Sequence, residues 1–510
     1  MKILFVFYEI PAAPPSYPLG PGLLSALLRR EGHETRGLHV HEELTEEALA
    51  GIAEQAAAFG PDLLAYSFSS PSFPYIGLIA ERLRAALDVP SVCGGAHPTL
   101  YPDETLASGL FDYVAVGEGE ISMPAFVDAL ASGRDPAGVP GIWSRRDGRE
   151  VRNRLNPLVQ DLDGLAHTDY ELFGPEFLEK TTKDGWLRAI SSRGCPYSCS
   201  YCHTPLFRER YSRHIGLPQS KLGYLRMRGV DDMIDEINAL AERYGVTVIN
   251  FMDDLFCLNR ERTLRFCDAF ETRVPGHVGY SIQTHLLHMD EEVALRLRQS
   301  RCLRVVVGLE SGSDRILKLL RRKANVAQSR AKLELLAATG YRLGVWTLNM
   351  LGMPTETLDE MLQTLALNAQ VLADRVKANV FTPYPGSAMY AFCEEHDLFD
   401  GSGSVEFQDR WVTKLRFPPA EYAFLEKFYD IGHWYMNRLA PLGLEQEFSA
   451  LIHEAEQIGP GQWDGARHDL LRRGDAVCDR LARHDKQHYR FVLQGKVTAG
   501  TIGLYGCPEQ

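Results

Sequence analysis

The sequence predicts an α/β protein: an N-terminal doubly wound domain of Rossmann or flavodoxin type, a partial (β/α)6 barrel, and a mainly helical C-terminal region. Three observations carry that prediction. Residues 1 to about 150 alternate short, nearly all-apolar runs with amphipathic segments, the pattern of a parallel sheet covered by helices on both faces. After a charged, proline-containing break the alternation resumes in longer units. Beyond about Tyr390 the strand pattern fades and helical periodicity takes over.

In the first domain, residues 1–144, strands are expected at 3–8, 35–40, 63–68, 91–93 and 113–116, with helices over 22–31, 46–59 and 76–87. Such folds bind ligands beyond the carboxyl ends of their strands, so the loops there are the places to search. Residues 145–185, with Asn156-Pro157 and Gly174-Pro175, read as a linker. The barrel, 186–390, has strands expected at 187–191, 246–252, 277–282, 304–309, 343–348 and 375–381. Helices over 231–244, 260–272, 291–299, 313–320 and 358–371 separate them. Barrel chemistry gathers at the same strand ends. In the tail, 391–510, the clearest helices are 421–439 and 467–490.

Composition narrows the function classes. The chain has 510 residues, 45% hydrophobic and 24% charged, which excludes wholesale disorder. Its 54 Lys and Arg against 67 Asp and Glu give a formal net charge of −13, a poor match to nucleic acid. The tail arginines Arg467, Arg472, Arg473, Arg480, Arg483 and Arg490 alternate with Asp469, Asp475, Asp479 and Asp485, which reads as a solvated helix face. No apolar run reaches the roughly 18–20 residues of a membrane helix, so no membrane is expected. Met1 to Tyr8 is too short an apolar stretch for a secretory signal, and a cytoplasmic location is expected.

Of ten cysteines, seven stand singly: Cys93, Cys257, Cys267, Cys302, Cys393, Cys478 and Cys507. The other three form Arg193-Gly194-Cys195-Pro196-Tyr197-Ser198-Cys199-Ser200-Tyr201-Cys202-His203, directly after the first barrel strand. Three thiolates at C-x3-C-x2-C spacing can hold three corners of a [4Fe–4S] cube and leave one iron open for another ligand. A zinc ion held by the three thiolates and His203 is the alternative, although zinc sites commonly pair two C-x2-C elements and no second pair is present.

With its aromatic residue before the last cysteine, this motif resembles the signature of the radical S-adenosylmethionine (SAM) enzymes. The resemblance implies a cluster on Cys195, Cys199 and Cys202 whose open iron chelates SAM, cleavage of SAM to a 5′-deoxyadenosyl radical, and Tyr201 beside the adenine. It extends to Gly308-Leu309-Glu310-Ser311-Gly312-Ser313, whose glutamate implies a contact to the SAM ribose hydroxyls; an N-cap by Ser311 or Ser313 is the bland reading of the same string. Gly352-Met353-Pro354-Thr355-Glu356-Thr357 and Thr382-Pro383-Tyr384-Pro385-Gly386-Ser387 resemble the turns after the fifth and sixth barrel strands. Asp253-Asp254 after the second strand is a further match, with helix capping as its alternative; Asp253 and Gln283 are the remaining expected SAM contacts. The family's third-strand arginine is replaced here by Tyr280-Ser281-Ile282-Gln283-Thr284-His285. His285 and His288 read as polar residues at the barrel mouth.

A doubly wound domain ahead of such a barrel resembles the cobalamin-binding domain of one radical SAM subgroup, the class that includes methylases. Ser67-Phe68-Ser69 ends the third strand, and Gly94-Gly95 ends the fourth about 26 residues later. Gly94-Gly95-Ala96-His97-Pro98-Thr99 and Val116-Gly117-Glu118-Gly119-Glu120 are the most family-like strings. The resemblance implies cobalamin contacts from Pro18, Leu19, Ser67, Phe68, Ser69, Gly94, Gly95, Ala96, His97, Gly117, Glu118 and Gly119. No D-x-H-x-x-G motif occurs, and the stretch Pro11 to Pro21 is proline-rich instead. The implied form is base-off cobalamin without a histidine ligand.

The activity implied is methylation of an unactivated carbon in a small-molecule or peptide substrate, through methylcobalamin and the 5′-deoxyadenosyl radical, with a flavodoxin- or ferredoxin-type electron donor. Two alternatives are a cobalamin-dependent cyclase or ring rearrangement, and a non-enzymatic metal- or cobalamin-binding protein. No side chain stands out as a general acid or base. The segment 207–228, with Arg208, Arg210, Tyr211, Arg213 and His214, reads as an exposed barrel loop near the substrate.

Overall fold

The computed structural model describes residues 1–11, 16–146, 148–401, 413–491 and 501–505. The chain divides into two compact units, residues 1–196 with 204–247, and residues 197–203 with 248–510.

In the first unit, apolar runs become buried strands. Strand β1 (Lys2–Tyr8) has Ile3, Leu4, Phe5 and Val6 at 3% exposure or less. Next come β2 (Glu34–Val40), β3 (Leu63–Ser67), β4 (Ser91–Gly94) and β5 (Tyr113–Ala115). They pair in parallel in the order β2-β1-β3-β4-β5. This is the flavodoxin-like order, with its switch point between β1 and β3. Thr45 starts the helix Glu46–Phe59 by accepting from the Ala48 N–H at 3.2 Å, and Gly60 ends it in the left-handed conformation.

The stretch 145–185 is more structured than a linker. Strands β6 (Ile142–Arg146) and β7 (Arg149–Arg152) extend the sheet antiparallel beyond β5. Asp169 then accepts from the Ser25 hydroxyl at 2.6 Å, and Tyr170 donates to the Arg188 carbonyl at 2.7 Å. Buried polar partners of this kind hold a segment down. Strand β8 (Trp186–Ala189) follows, then β9 (Ser192–Arg193), which pairs antiparallel with β10 (Arg226–Met227). The segment 207–228, expected as an exposed loop, is largely the helix Thr204–Ile215, with Tyr211 buried, followed by β10. Arg210 donates to the Leu100 carbonyl at 2.9 Å and so fixes that helix within the first unit.

In the second unit, β11 (Val248–Phe251), β12 (Gly279–Thr284), β13 (Cys302–Glu310), β14 (Val345–Leu351) and β15 (Arg375–Val380) pair in parallel in chain order. One face of this sheet is dense: Val305, Val307, Val345, Val376 and Ala378 are at most 2% exposed. Thr347, Asn349 and Asn368 of the helix Leu358–Gln370 form a closed polar triad on that side. The helix Val326–Thr339 adds an element absent from the predicted series.

The tail is mainly helical, with Pro419–Leu439, Glu445–Glu456 and Trp463–Arg483. Trp434 packs where Gly474 leaves room; a Cβ there would lie 2.3 Å from the indole. Several arginines on its surface are paired, Arg472 with Asp469 at 2.5 Å and Arg473 with Glu454 at 2.7 Å. The tail also supplies two strands, β16 (Tyr489–Phe491) and β17 (Thr501–Leu504), with β17 antiparallel to β15. Among the described residues no helix is long and apolar enough to cross a membrane.

Candidate functional site

Two places concentrate the chemistry. The first is an apolar cavity of about 370 Å³ beyond the carboxyl ends of β1, β3, β4 and β5. Phe5, Ala65 and Val92 form its base, and Leu19, Pro21 and Leu24 of the helix Leu19–Arg30 form one wall. Of the residues implied by resemblance, Leu19, Ser67, Gly94, Gly95, Gly117, Glu118 and Gly119 all line it. Gly95 has φ +104°, and a Cβ there would sit 2.8 Å from the Phe68 carbonyl oxygen, so only glycine lets β4 end this close to its neighbour.

Pro18, Phe68, Ser69, Ala96 and His97 are not in the lining. Phe68 stacks on Phe73 with centroids 5.5 Å apart. His97 lies against the same ring at 4.3 Å with Nδ1 3.0 Å from the Ser70 hydroxyl, and burial pushes its pKa down to about 4. Aromatic packing accounts for both side chains. Of the proline-rich loop, residues 12–15 lie outside the described residues, as does Cys507.

The polar rim of this cavity contains partners that sequence spacing does not reveal. Arg226, 5% exposed, donates to both oxygens of Glu118 at 2.8 and 2.7 Å. Arg193 bridges Glu118 at 3.2 Å and Glu120 at 2.5 Å. Burial pushes the Glu118 carboxyl upward, but the two guanidiniums outweigh it and hold the group below the usual range. The Tyr211 hydroxyl oxygen holds the same loop by accepting from the Glu118 N–H at 2.5 Å. The partners stand 73 to 108 residues apart in sequence.

The second place is the three-cysteine loop. None of the nine described cysteines forms a disulfide. Cys195 belongs to the first unit, where Arg208 donates to its carbonyl at 3.3 Å and to that of Pro196 at 3.0 Å. Cys199 and Cys202 belong to the second. Ser200, between them, is pinned on two sides: its N–H donates to the Leu320 carbonyl at 3.1 Å, and its carbonyl accepts from the Met389 N–H at 2.8 Å. Thus the loops after β13 and β15 both fix the cysteine loop. Tyr197 lies 4.8 Å from the His285 ring and 2.9 Å from His288 Nε2, so both histidines serve that packing.

Arg322 was not evident from the sequence. Its guanidinium is buried, donates to the Gly308 carbonyl at 2.7 Å, and stands 3.8 Å from Cys199 Sγ and 3.9 Å from Glu310. Burial raises the Cys199 thiol pKa, and Arg322 opposes that by favouring the thiolate a cluster needs. Burial likewise raises the Glu310 pKa, against Arg322 and a hydrogen bond from Tyr201. Glu310 ends β13 at φ +70°, and a Cβ on Gly308 would lie 2.4 Å from its Oε1. Gly308 therefore makes the space into which the glutamate folds.

Ser313 does cap the helix Asp314–Leu319, accepting from the Ile316 N–H at 3.3 Å, while Glu310 turns away from the cap. Asp253 is 1% exposed, Asp254 is exposed, and neither caps the helix Arg260–Arg273, which starts on Asn259. Gln283 reaches Met252 Sδ at 3.8 Å. His203 meets Tyr384 edge-on at 4.6 Å. Among the described residues no three His, Cys, Asp or Glu side chains converge on one point as a single metal ion requires. Three cysteines on one loop, none of them in a disulfide, are the donor types that a cube with one open iron takes, each on its own iron.

The model of the radical SAM superfamily matches residues 189–367, and that of the B12 binding domain matches residues 10–127. An uncharacterized methyltransferase of Pyrococcus horikoshii is 27% identical over 392 residues, 75% of this chain and 79% of its own. The cytidylyl-2-hydroxyethylphosphonate methyltransferase of Streptomyces wedmorensis is 23% identical over 447 residues, 76% of this chain and 80% of its own. The fold is shared with the radical SAM methyltransferase TsrM of Kitasatospora setae, at TM-score 0.63 and 19% identity over 78% of this chain and 76% of that one. The chain belongs to the cobalamin-dependent radical SAM enzymes, whose cofactors are a [4Fe–4S] cluster, SAM and cobalamin.

Proposed function

We propose that this chain methylates an unactivated carbon of a small-molecule or peptide substrate. The observation that carries the reading is the combination, in one chain, of a three-cysteine loop and a glycine-lined apolar cavity beyond the strands of a doubly wound domain. When bound, the cluster supplies the electron that opens the sulfonium bond of SAM, and cobalamin carries the methyl group.

The residues divide the remaining work. Cys195, Cys199 and Cys202 hold the cluster, with Arg322 favouring the Cys199 thiolate against the effect of burial. Glu310 and Tyr201 receive the SAM nucleoside; a carboxylate can accept two ribose hydroxyls at once. The apolar cavity takes the buried tail of cobalamin, and the Glu118–Arg226 pair fixes the loop on its rim. Gly20 and Pro21 line the cavity, and the loop that ends in them, Pro11 to Pro21, is proline-rich and lacks the D-x-H-x-x-G motif. That supports base-off cobalamin without a histidine ligand. A flavodoxin- or ferredoxin-type donor in the cytoplasm completes the proposal.

The test is anaerobic reconstitution with iron, sulfide and cobalamin, then reduction in the presence of SAM and candidate substrates. Methylation predicts 5′-deoxyadenosine, S-adenosylhomocysteine and a product heavier by one CH2. Deoxyadenosine with a product of unchanged carbon count would replace methyl transfer by ring-forming chemistry.

A further inference from the structure

The second unit holds a cation between one of the cysteines and a carboxylate. The Arg322 side chain is 8% exposed and follows just after the helix Asp314–Leu319. One end of its guanidinium donates to Cys199 Sγ at 3.8 Å. The other end donates to the Gly308 carbonyl at 2.7 Å and stands 3.9 Å from Glu310 Oε1. The segment carrying the arginine is itself tied to the cysteine loop. Ser200 donates its N–H to the Leu320 carbonyl at 3.1 Å and its hydroxyl to the Leu319 carbonyl at 2.9 Å, and the Arg322 N–H closes the turn on the Leu317 carbonyl at 2.9 Å. The distance from guanidinium to sulfur is therefore set by backbone contacts rather than left to a mobile side chain.

Two ionisable neighbours stay neutral. Burial, with Arg322 adding to it, lowers the pKa of His285 to about 3. Burial raises the Tyr201 phenol far above its usual range, with Glu310 adding to the rise and Arg322 opposing it. Near neutral pH the formal charges these four side chains place beside Cys199 are the Arg322 guanidinium and the Glu310 carboxylate, and they act on the thiol in opposite directions.

We infer that Arg322 and Glu310 set the reduction potential of the cluster in opposite senses, the arginine raising it and the glutamate lowering it. One-electron reduction adds negative charge at the irons and their sulfur ligands, and hydrogen bonds to those sulfurs and nearby charges decide how well it is tolerated. An N–H donated to Cys199 from a cation held out of water favours the reduced form, while a carboxylate in the same surroundings disfavours it. An arginine suits the task because it stays charged throughout the working pH range and offers several fixed N–H donors, so one side chain serves sulfur, carbonyl and carboxylate together. The inference rests on the proposed reading in taking Cys199 as a cluster ligand, and is independent of which carbon is methylated.

The experiment uses the full chain reconstituted anaerobically with iron and sulfide, without SAM or substrate, and reads the midpoint potential by an EPR-monitored redox titration. Arg322→Gln is expected to move the reduction equilibrium about tenfold toward the oxidised cluster, which is about 59 mV more negative for one electron. Arg322→Lys, which keeps the charge, recovers part of that shift. Glu310→Gln is expected to move the potential the other way. A merely structural role for the pair would not give shifts of opposite sign. Unchanged potentials, or shifts of the same sign in Arg322→Gln and Glu310→Gln, overturn the inference. If Arg322→Gln fails to assemble a cluster, Glu310→Gln decides alone, and an unchanged or lowered potential overturns it. A wild-type chain that forms no reducible cluster refutes the cluster assignment and the inference with it, whereas a normal cluster with unshifted variants refutes the inference only.

Discussion

Replacing Glu356 by Gln is expected to remove a pH-dependent penalty from the fold. Glu356 lies in the turn after β14 and is 2% exposed. Its Oε2 accepts from the Met353 N–H at 2.9 Å, while the buried Oε1 has no hydrogen-bond partner. Burial pushes its pKa up from 4.5 to about 8, with the nearby Glu360 adding to the rise and backbone N–H groups and Arg315 opposing it. Below pH 4.5 the carboxyl is protonated folded or unfolded and contributes nothing. As pH rises, the unfolded chain ionises first, so stability falls until the folded group ionises near pH 8 and is level beyond that. A displacement of about 3.5 pK units at 1.36 kcal/mol each is roughly 5 kcal/mol, lost at up to about 1.4 kcal/mol per pH unit. Urea melts of wild type and Glu356→Gln from pH 5 to 8 measure it as a difference, which cancels titrations common to both chains. The wild type should lose ground steadily to the variant across that range. Parallel profiles would refute the argument that this carboxyl is held protonated by the fold.

Two further outcomes follow from contacts described above. Arg226→Met leaves the Glu118 carboxylate to Arg193 and should cost about 1–3 kcal/mol in unfolding free energy; adding Glu118→Gln should recover most of the loss, and failure to recover would mean the pair is not an energetic unit. Gly308→Ala pushes the Glu310 carboxylate out of its space and should weaken SAM binding roughly tenfold by equilibrium dialysis, with the visible spectrum of the cluster unchanged.

What could be read from sequence and what could not divides along physical lines. Strands such as 3–8 and 63–68 were legible because burial on both faces demands uninterrupted apolar runs. The cysteine loop was legible because its ligands are adjacent in the chain. The hairpin β6–β7 was hidden because Arg149 to Arg152 is exposed and charged, which reads as a loop. The helix Val326–Thr339 buries only Ser329, Leu333 and Leu336, too narrow a stripe to announce itself. Arg322 and the pairings of Arg193 and Arg226 with Glu118 depend on residues brought together by folding, and an arginine gives no local sign of its partner. His97 shows the converse. Its string reads as a ligand loop, whereas the side chain stacks on Phe73 outside the cavity lining.

The antiparallel addition of β17 to β15 has a consequence for synthesis. Residues 375–380 cannot pair on that side until Thr501 has been made, about 120 residues later. At 5–20 residues per second, a ribosome leaves this edge unpaired for roughly 6–24 s. An open strand edge is a template for association with other chains. Arg375 and Lys377 place two positive charges along that strand, so neighbouring nascent chains repel one another during the interval. In the finished sheet Arg375 turns to a different use, standing over the Trp346 ring at 5.0 Å.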